Sequence, residues 1–149
     1  MALEYVLELA TKHSPEDIMK TLSTLGFGFQ NRPDLQAVAT GVTVIASTET
    51  ALGRELINEA YNLMPTMYLT FRLDKFQAWE AGLRTTIKAT LELLQQIGAD
   101  GILLFNGETP VLMSVSGTVT LNDANDFWER PDLLSLVNNP YQLSRIVSL

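Results

Sequence analysis

Two carboxylates, Asp100 and Glu108, stand in an otherwise apolar stretch that reads GADGILLFNGETPVLM. Carboxylates that act together on one bond usually lie about 5–10 Å apart. The residues between them predict a strand at 101–105 and an Asn-Gly hairpin turn. At ~3.3 Å per residue, this strand would hold the two carboxylates roughly 17–20 Å apart. They are therefore not expected to form a catalytic pair: Asp100 should help to end the connection from helix to strand, and Glu108 should lie at a solvated loop tip.

The other reactive side chains do not form the pattern of a nucleophilic triad or a metal site. His13 is the only histidine, and the sequence contains no cysteine. A triad needs a base with partners, and zinc sites without cysteine usually need two or three histidines. Gly26 and Gly28 follow a predicted helix, whereas a phosphate site requires glycines that open one. We therefore predict a protein that is not an enzyme and holds no cofactor or metal, with His13 on its surface.

Length and composition predict one folded domain. The 149 residues are 46% hydrophobic and 18% charged, which is typical of a globular chain with its own core. The N-terminal residues lack a basic region followed by an apolar one, and no apolar run approaches the ~20 residues of a membrane-spanning helix. We expect a cytoplasmic protein that does not use a membrane as its partner.

The charge of the chain argues against nucleic acid as a partner. The formal net charge is −7, and the ten Lys and Arg residues are scattered singly. Nucleic-acid binding needs a basic stripe that neutralises phosphates, and none is present in the sequence. An acidic surface suits a basic protein partner, although it also simply keeps many proteins apart in solution.

The first half of the chain is predicted to hold a strand, a helix and a long second strand. Ser14 and Pro15 are typical of a helix N-terminus, and Gly26 is typical of a helix end. The predicted elements are a strand at 3–9, a helix at 14–25, an extended segment at 27–30, a turn at 31–34 and a strand at 35–47 with a bend at its glycine.

From residue 48 to residue 121 the sequence predicts two helices and four strands. A short helix at Ala51–Tyr61 is expected to turn Leu52, Leu56 and Ile57 inward. Asp74 is expected to cap the longest helix, whose apolar residues recur every three or four positions. The other predicted elements are a strand at 67–73, the long helix at 76–97, and strands at 101–105, 111–115 and 118–121.

The order of these elements repeats once along the chain. Residues 1–47 read strand, helix, strand, strand. Residues 67–121 read the same with a third strand added, and residues 48–66 connect the two units. Two such βαββ-like units predict a single α+β domain at 1–149, in which an antiparallel-rich sheet carries its two main helices on one face. Residues 122–149 form a C-terminal extension outside the repeat.

The C-terminal extension contains the best candidate for a partner-binding site. Aromatic residues beside acidic ones are typical of a protein-binding hot spot. The same pattern suits a plug, in which the two aromatic rings fold back on the core while the acids beside them stay exposed. The residues predicted to contact a partner are Asp126, Phe127, Trp128, Glu129 and Asp132, together with Glu108.

Three stretches of the sequence carry a family resemblance. They are LTFRLDKF at 69–76 before the long helix, DGILLFNGE at 100–108 with the Val111, Leu112, Gly117 and Trp128 that follow, and the opening MALEYVLELA at 1–10. Together they resemble the bacterial swarming-inhibition immunity family, over almost the full chain. The resemblance implies a protein that protects its cell from a toxin exchanged between kin, and it implies no catalytic residues.

The leading interpretation is a small cytoplasmic immunity protein that neutralises a toxin by direct binding. One alternative is a small-molecule-binding domain, with Tyr5, Arg72 and Trp79 lining a cleft. The other is a homodimer whose sheet edges pair. A deep pocket with a strongly shifted carboxylate would favour the first alternative, and concentration-dependent gel filtration would favour the second.

Overall fold

The computed structural model describes residues 3–149; residues 1 and 2, with which the predicted domain and the resembling stretch at 1–10 begin, lie outside the described residues. Nine strands and four helices occur in this range, and one turn of 3-10 helix at Phe127–Glu129 precedes the last helix. The elements in chain order are β1 Leu3–Ala10, α1 Pro15–Ser23, β2 Gln30–Arg32, β3 Gln36–Ala39, β4 Val42–Thr48, α2 Ala51–Tyr61, β5 Met67–Leu73, α3 Trp79–Ile97, β6 Asp100–Phe105, β7 Thr109–Val115, β8 Thr118–Asn122, α4 Pro131–Leu134 and β9 Tyr141–Ser144.

The strand β1 lies in the middle of a single sheet with the order β2-β3-β4-β5-β1-β6-β7-β8-β9. Neighbouring strands are antiparallel except β8 and β9, which are parallel. Because β1 pairs with β5 on one side and with β6 on the other, the strands of the two predicted units interleave. The architecture fits the α+β class, but the repeat of two βαββ units is not confirmed.

The main core lies between the sheet and the helices α1 and α3. Leu7 of β1 stands in register with Leu69 of β5 and Leu103 of β6, and all three side chains are fully buried. The two main helices therefore pack on one face, as predicted. Trp79, at the start of α3, is exposed, but the other residues of the predicted stripe are buried in this core: Leu83, Ile87, Leu91 and Leu94.

A second, smaller core covers the opposite face of the sheet. It contains Ile57 of α2, Leu63 after that helix, Ile102 and Leu104 of β6, and Ile146 of the C-terminal tail. Because side chains alternate along a strand, Ile102 and Leu104 face away from the main core that receives Leu103. The middle of the sheet is thus buried on both faces, whereas α1 and α3 cover only one.

The predicted single strand at 35–47 is wrong, because the chain forms two strands, β3 and β4, joined by a tight turn at Thr40 and Gly41. Gly41 has a φ of +79°, a conformation that glycine adopts at no steric cost. The predicted turn at 31–34 is also displaced. Its first two residues belong to β2, and Asp34 and Leu35, both with positive φ, make the turn into β3.

The start of the long helix differs from the prediction. The helix α3 begins at Trp79 instead of residue 76, after Ala78 in a left-handed conformation with φ +58°. Asp74 does not cap it. Oδ1 of Asp74 accepts hydrogen bonds from the backbone N–H groups of Phe76 at 3.1 Å and Gln77 at 3.2 Å, so this side chain closes the turn before the helix.

The helix α2 has the bounds that the sequence predicts, but its orientation does not match the prediction. Ile57 is buried, whereas Leu52 and Leu56 are 66% and 50% exposed. The single buried residue shows that α2 meets the sheet along a narrow line. The expected inward position of the two leucines is therefore wrong.

A contact between two glycines fixes the β3–β4 turn against the first turn of α3. A Cβ on Gly82 would collide with the backbone carbonyl of Gly41, and a Cβ on Gly41 would collide with the carbonyl of Ala78. The Gly41 carbonyl also accepts a hydrogen bond from the N–H of Asp74 at 2.9 Å. The helix and the hairpin can approach this closely only because neither position carries a side chain.

The Gly82→Ala substitution tests this contact. An alanine in a helix interior normally stabilises by about 0.5–1 kcal/mol relative to glycine. Here the collision with Gly41 should dominate, because overpacking costs about 1–3 kcal/mol, so the free energy of unfolding should fall. Urea unfolding measures it, with Ala81→Gly as a control that changes helix propensity in the opposite direction. A Gly82→Ala protein that is more stable than the wild type would show that the contact is loose.

Candidate functional site

The carboxylates Asp100 and Glu108 lie at opposite ends of β6, as the sequence predicts. Oδ1 of Asp100 accepts a hydrogen bond from the N–H of Ser116 at 2.8 Å. Asp100 therefore fixes the β7–β8 turn, in contrast to the expected role at the end of α3. Glu108 is exposed in the β6–β7 turn. The two carboxylates cannot act on one substrate bond.

The aromatic residues of the C-terminal extension fold back on the main core. Trp128 is only 5% exposed, and its indole Nε1–H donates a hydrogen bond to the carbonyl of Val111 at 2.8 Å. The ring of Phe127 meets that of Trp128 edge-on, with the centroids 4.9 Å apart, and lies 6.4 Å from the ring of Tyr5. The two rings thus form a plug at one end of the sheet, and Trp128 has almost no surface for a partner.

The acids around this plug remain exposed, in the same part of the molecule as Glu108. Tyr5, which contacts Phe127, also contacts Phe105 at 5.1 Å, and Phe105 borders the turn that carries Glu108. Within residues 3–149, Glu108, Asp126 and Glu129 make no ion pair. Asp126 to Glu129 are consecutive in the chain, and Glu108 lies in the turn after Phe105. We call the exposed acids Glu108, Asp126 and Glu129, around this mostly buried aromatic pair, the end surface.

Asp132, the sixth predicted position, is held in an ion-pair network. Arg130 contacts Asp132 and Glu80 of α3, each at 2.8 Å. The hydrogen bond from Arg130 holds the pKa of the Asp132 carboxyl below its usual value. The guanidinium neutralises part of the local negative charge and ties the extension to the start of α3. Asp132 therefore has less charge to offer a partner than the three unpaired acids.

A pair of buried carboxyls that the sequence analysis did not identify lies on the opposite face of the sheet. Glu8 of β1 is 7% exposed, and its cross-strand neighbours are Tyr68 and Ile102. It is hydrogen-bonded to Glu49, the residue before the N-cap of α2, which is also buried. Burial and a neighbouring carboxyl both disfavour the charged form of a carboxyl, so Glu8 favours its protonated form.

The environment of this pair shifts the titration of Glu8. Burial, followed by the hydrogen bond and the charge of Glu49, raises the pKa of Glu8 to about 9. Among residues 3–149, Oε1 of Glu8 has no hydrogen-bond partner. Oε1 of Glu49 accepts a hydrogen bond from the N–H of Thr50 at 2.8 Å, and a Cβ on Gly53 would collide with this carboxyl. The Glu8 carboxyl, kept neutral, thus joins the centre of the sheet to the first turn of α2.

A signal for this pair is present in the sequence but is not local. Ile102, Leu103 and Leu104 are three consecutive apolar residues, a pattern typical of a strand that is buried on both faces. A neighbouring strand of such a β6 must also have both faces covered. Glu8 is the residue of β1 that faces the second core beside Ile102, but only the β1–β6 register reveals this position.

The cleft expected for a small molecule does not form from the predicted residues. Tyr5 is buried in the main core, whereas Arg72 lies on the opposite face of the sheet and pairs with Glu4 at 3.5 Å. Tyr5 and Arg72 therefore cannot line one cleft with Trp79. A shallow cleft of about 250 Å³ does lie between α3 and β8, but its described lining contains no ionisable side chain.

His13 lies on the surface of the protein. The backbone N–H of His13 donates a hydrogen bond to Oγ1 of Thr11 at 3.1 Å, and its side chain is exposed. In residues 3–149, no group of three or more His, Cys, Asp or Glu side chains converges on a metal position. Over the same range, each helix is too short or too polar to cross a bilayer.

Comparison with known proteins gives one family. A family model described as SitI3-like matches residues 3–132 of the chain. No curated protein and no solved structure matches the chain. The matched range contains β1 to β8, the Glu8–Glu49 pair and the acids of the extension, and it ends within α4.

The Glu8→Gln substitution should change the pH dependence of stability. The pKa of Glu8 is about 9 in the folded protein against an ordinary 4.5. Between these values the folded state keeps a proton that the unfolded state has lost, so the contribution of Glu8 to stability is greatest below pH 4.5 and falls as the pH rises towards 9. Glutamine keeps the shape and cannot ionise, so the variant should show a flatter profile of Tm between pH 5 and 9 and a higher Tm at pH 8.

The control for this experiment is Glu55→Gln, which removes an exposed carboxylate of α2. Its Tm should follow the slope of the wild type. If Tm falls by the same amount from pH 5 to pH 9 in the wild type and in Glu8→Gln, then Glu8 does not hold a proton in the folded protein.

Proposed function

Because the chain belongs to the SitI3-like family, a family of swarming-inhibition immunity type, we propose that it is a cytoplasmic immunity protein that neutralises a toxin by direct binding. The observation that carries the proposal is the family match over residues 3–132. The partner is a protein, and the chain contributes a surface and a charge, not a reaction. Neither a nucleic acid nor a membrane is part of the proposal.

The charge distribution supports a basic partner. The net charge is −7, and the end surface carries the unpaired carboxylates of Glu108, Asp126 and Glu129. Charge complementarity speeds the encounter of two proteins by 10-fold or more at low salt. We propose that these acids attract the toxin at long range. Because Trp128 is buried and Phe127 is partly buried, these two rings supply little apolar contact area at the end surface.

A homodimer joined through sheet edges is the second candidate. The observation that favours it is the exposure of both outer strands: every residue of β2 and of β9 is exposed. An unpaired strand edge can add a strand from another chain. Gel filtration at two concentrations separates the candidates, because a dimer formed at working concentration elutes earlier as the concentration rises.

The binding partner is tested with the gene directly upstream. A secreted or surface-displayed protein with a variable C-terminal domain is expected there, and that purified domain should be retained by the immobilised chain. Co-expression should also rescue cells from the toxicity of the domain. An upstream domain that the chain neither binds nor neutralises would refute the proposed function.

The end surface is tested by its effect on association. The double variant Asp126→Asn/Glu129→Gln should bind the toxin domain with an association rate that is lower by about three- to tenfold at low salt, and with a weaker dependence on salt. The matched control is Glu16→Gln/Asp17→Asn, which removes the same charge from exposed positions on α1. Stopped-flow mixing at several salt concentrations measures both. An association rate that does not change with salt in the wild type would remove the electrostatic part of the proposal.

A further inference from the structure

The outer side of α2 carries an unusual group of exposed apolar side chains. Leu52 and Leu56 are 66% and 50% exposed, and Met64, in the segment after the helix, is 60% exposed. Leu52 and Leu56 are four residues apart, so they are neighbours on the helix surface. Single exposed leucines are common, but a contiguous apolar group on a helix that has only one buried residue indicates a surface used for contact.

The same side of α2 carries acids in an arrangement that does not favour the free helix. Glu55 and Glu59 are exposed and also four residues apart, where like charges repel. Glu59 lies in the last turn of α2, which contains no basic residue, and a negative charge at this end opposes the helix dipole. Within residues 3–149 neither carboxylate makes an ion pair.

The helix itself is held firmly in place. The side chain of Thr50 caps its N-terminus by accepting from the N–H of Gly53 at 3.0 Å, and Asn62 ends it in a left-handed conformation. Nε of Arg54 donates to the carbonyl of Pro65 at 3.0 Å, and the hydroxyl of Tyr61 donates to the carbonyl of Val147 at 2.8 Å. A partner would therefore meet an ordered surface and lose little free energy in fixing it.

We propose that the outer side of α2, formed by Leu52 and Leu56 beside Glu55 and Glu59, is the surface that docks the toxin. This inference, which rests on the proposed function, names its binding face. The exposed leucines contribute little to the stability of the free domain and the repelling acids lower it, yet both suit one kind of partner. That partner presents an apolar protrusion flanked by Lys or Arg side chains, which would cover the leucines and pair with the acids.

The charges argue against a second copy of this chain on the same surface. Two copies that met through α2 would bring Glu55 and Glu59 of one against the same residues of the other. Each copy also carries a net charge of −7. A basic protein resolves this repulsion, whereas a homodimer increases it.

Two acidic regions then have different roles in one binding reaction. The end surface of Glu108, Asp126 and Glu129 acts before contact and sets the association rate. The α2 surface acts after contact, since buried apolar anchors determine mainly how long a complex survives. Substitutions in the two regions should therefore change different rate constants.

The experiment measures the dissociation of the upstream toxin domain from variants of the full chain. Leu52→Gln/Leu56→Gln keeps helix propensity and size while removing the apolar contact. It should dissociate about tenfold faster or more. The matched control is Leu143→Gln, an equally exposed leucine on β9, which should dissociate like the wild type. The Tm of each variant without toxin shows that the fold is kept, because all three leucines are exposed.

A second variant tests the acids of the same surface. Glu55→Gln/Glu59→Gln should weaken binding of the toxin domain while leaving the Tm of the free chain unchanged or raised, because a repelling pair is removed. A merely structural role for these acids would give the opposite change in Tm. Weaker binding together with an undiminished Tm supports the inference.

The outcomes separate the inference from the function on which it rests. A wild-type chain that binds the toxin domain, with an unchanged dissociation rate in Leu52→Gln/Leu56→Gln, would overturn the docking face and leave the immunity function standing. A wild-type chain that does not bind would refute both. Sedimentation that shows a dimer abolished by the same double variant would assign the surface to a second copy and also overturn the inference.

Discussion

The structure depends on the need to bury the middle of a wide sheet on both faces with helices that are unequally distributed. The helices α1 and α3 cover one face, and β1, β5 and β6 meet them through fully buried leucines. On the other face, α2 and the C-terminal tail provide the cover over Ile102 and Leu104. The buried carboxyl pair and the exposed leucines of α2 both occur on that second, thinly covered face.

The position of Glu8 follows from this constraint. A residue of the central strand that faces the second core must be buried whatever its chemistry, and burial of a carboxyl favours the form that holds a proton. Glu49 supplies a hydrogen-bonding partner from the start of α2. The pair therefore links β1 to the start of α2 at a position where an apolar contact is more usual. The energy of that link depends on pH, whereas the energy of the leucine core does not.

The sequence predicts local elements well because their causes are local. The bounds of β5 and α2 match the prediction, since alternation defines the strand and Thr50 and Asn62 define the helix ends. Pairing is not local: β1 could not be placed between β5 and β6 from the polarity of its own residues. The burial of Glu8 and the outward position of Leu52 depend on that pairing and on how α2 rests on the sheet, so neither was predicted. The aromatic plug was one of two interpretations of the extension, and the burial of Trp128 and its hydrogen bond to Val111 distinguish them.

The narrow contact of α2 connects the fold to recognition. A helix that buried Leu52 and Leu56 would cover the sheet more fully and contribute more to stability, by about 1.5–3 kcal/mol for each leucine buried completely. This chain instead fixes α2 through Ile57, the buried carboxyl pair and polar caps, and leaves its leucines outside. Such an arrangement keeps the helix rigid without using its apolar side chains. A rigid helix with exposed leucines and unpaired acids can contact another protein at little entropic cost. The outer side of α2 is therefore already ordered for a partner.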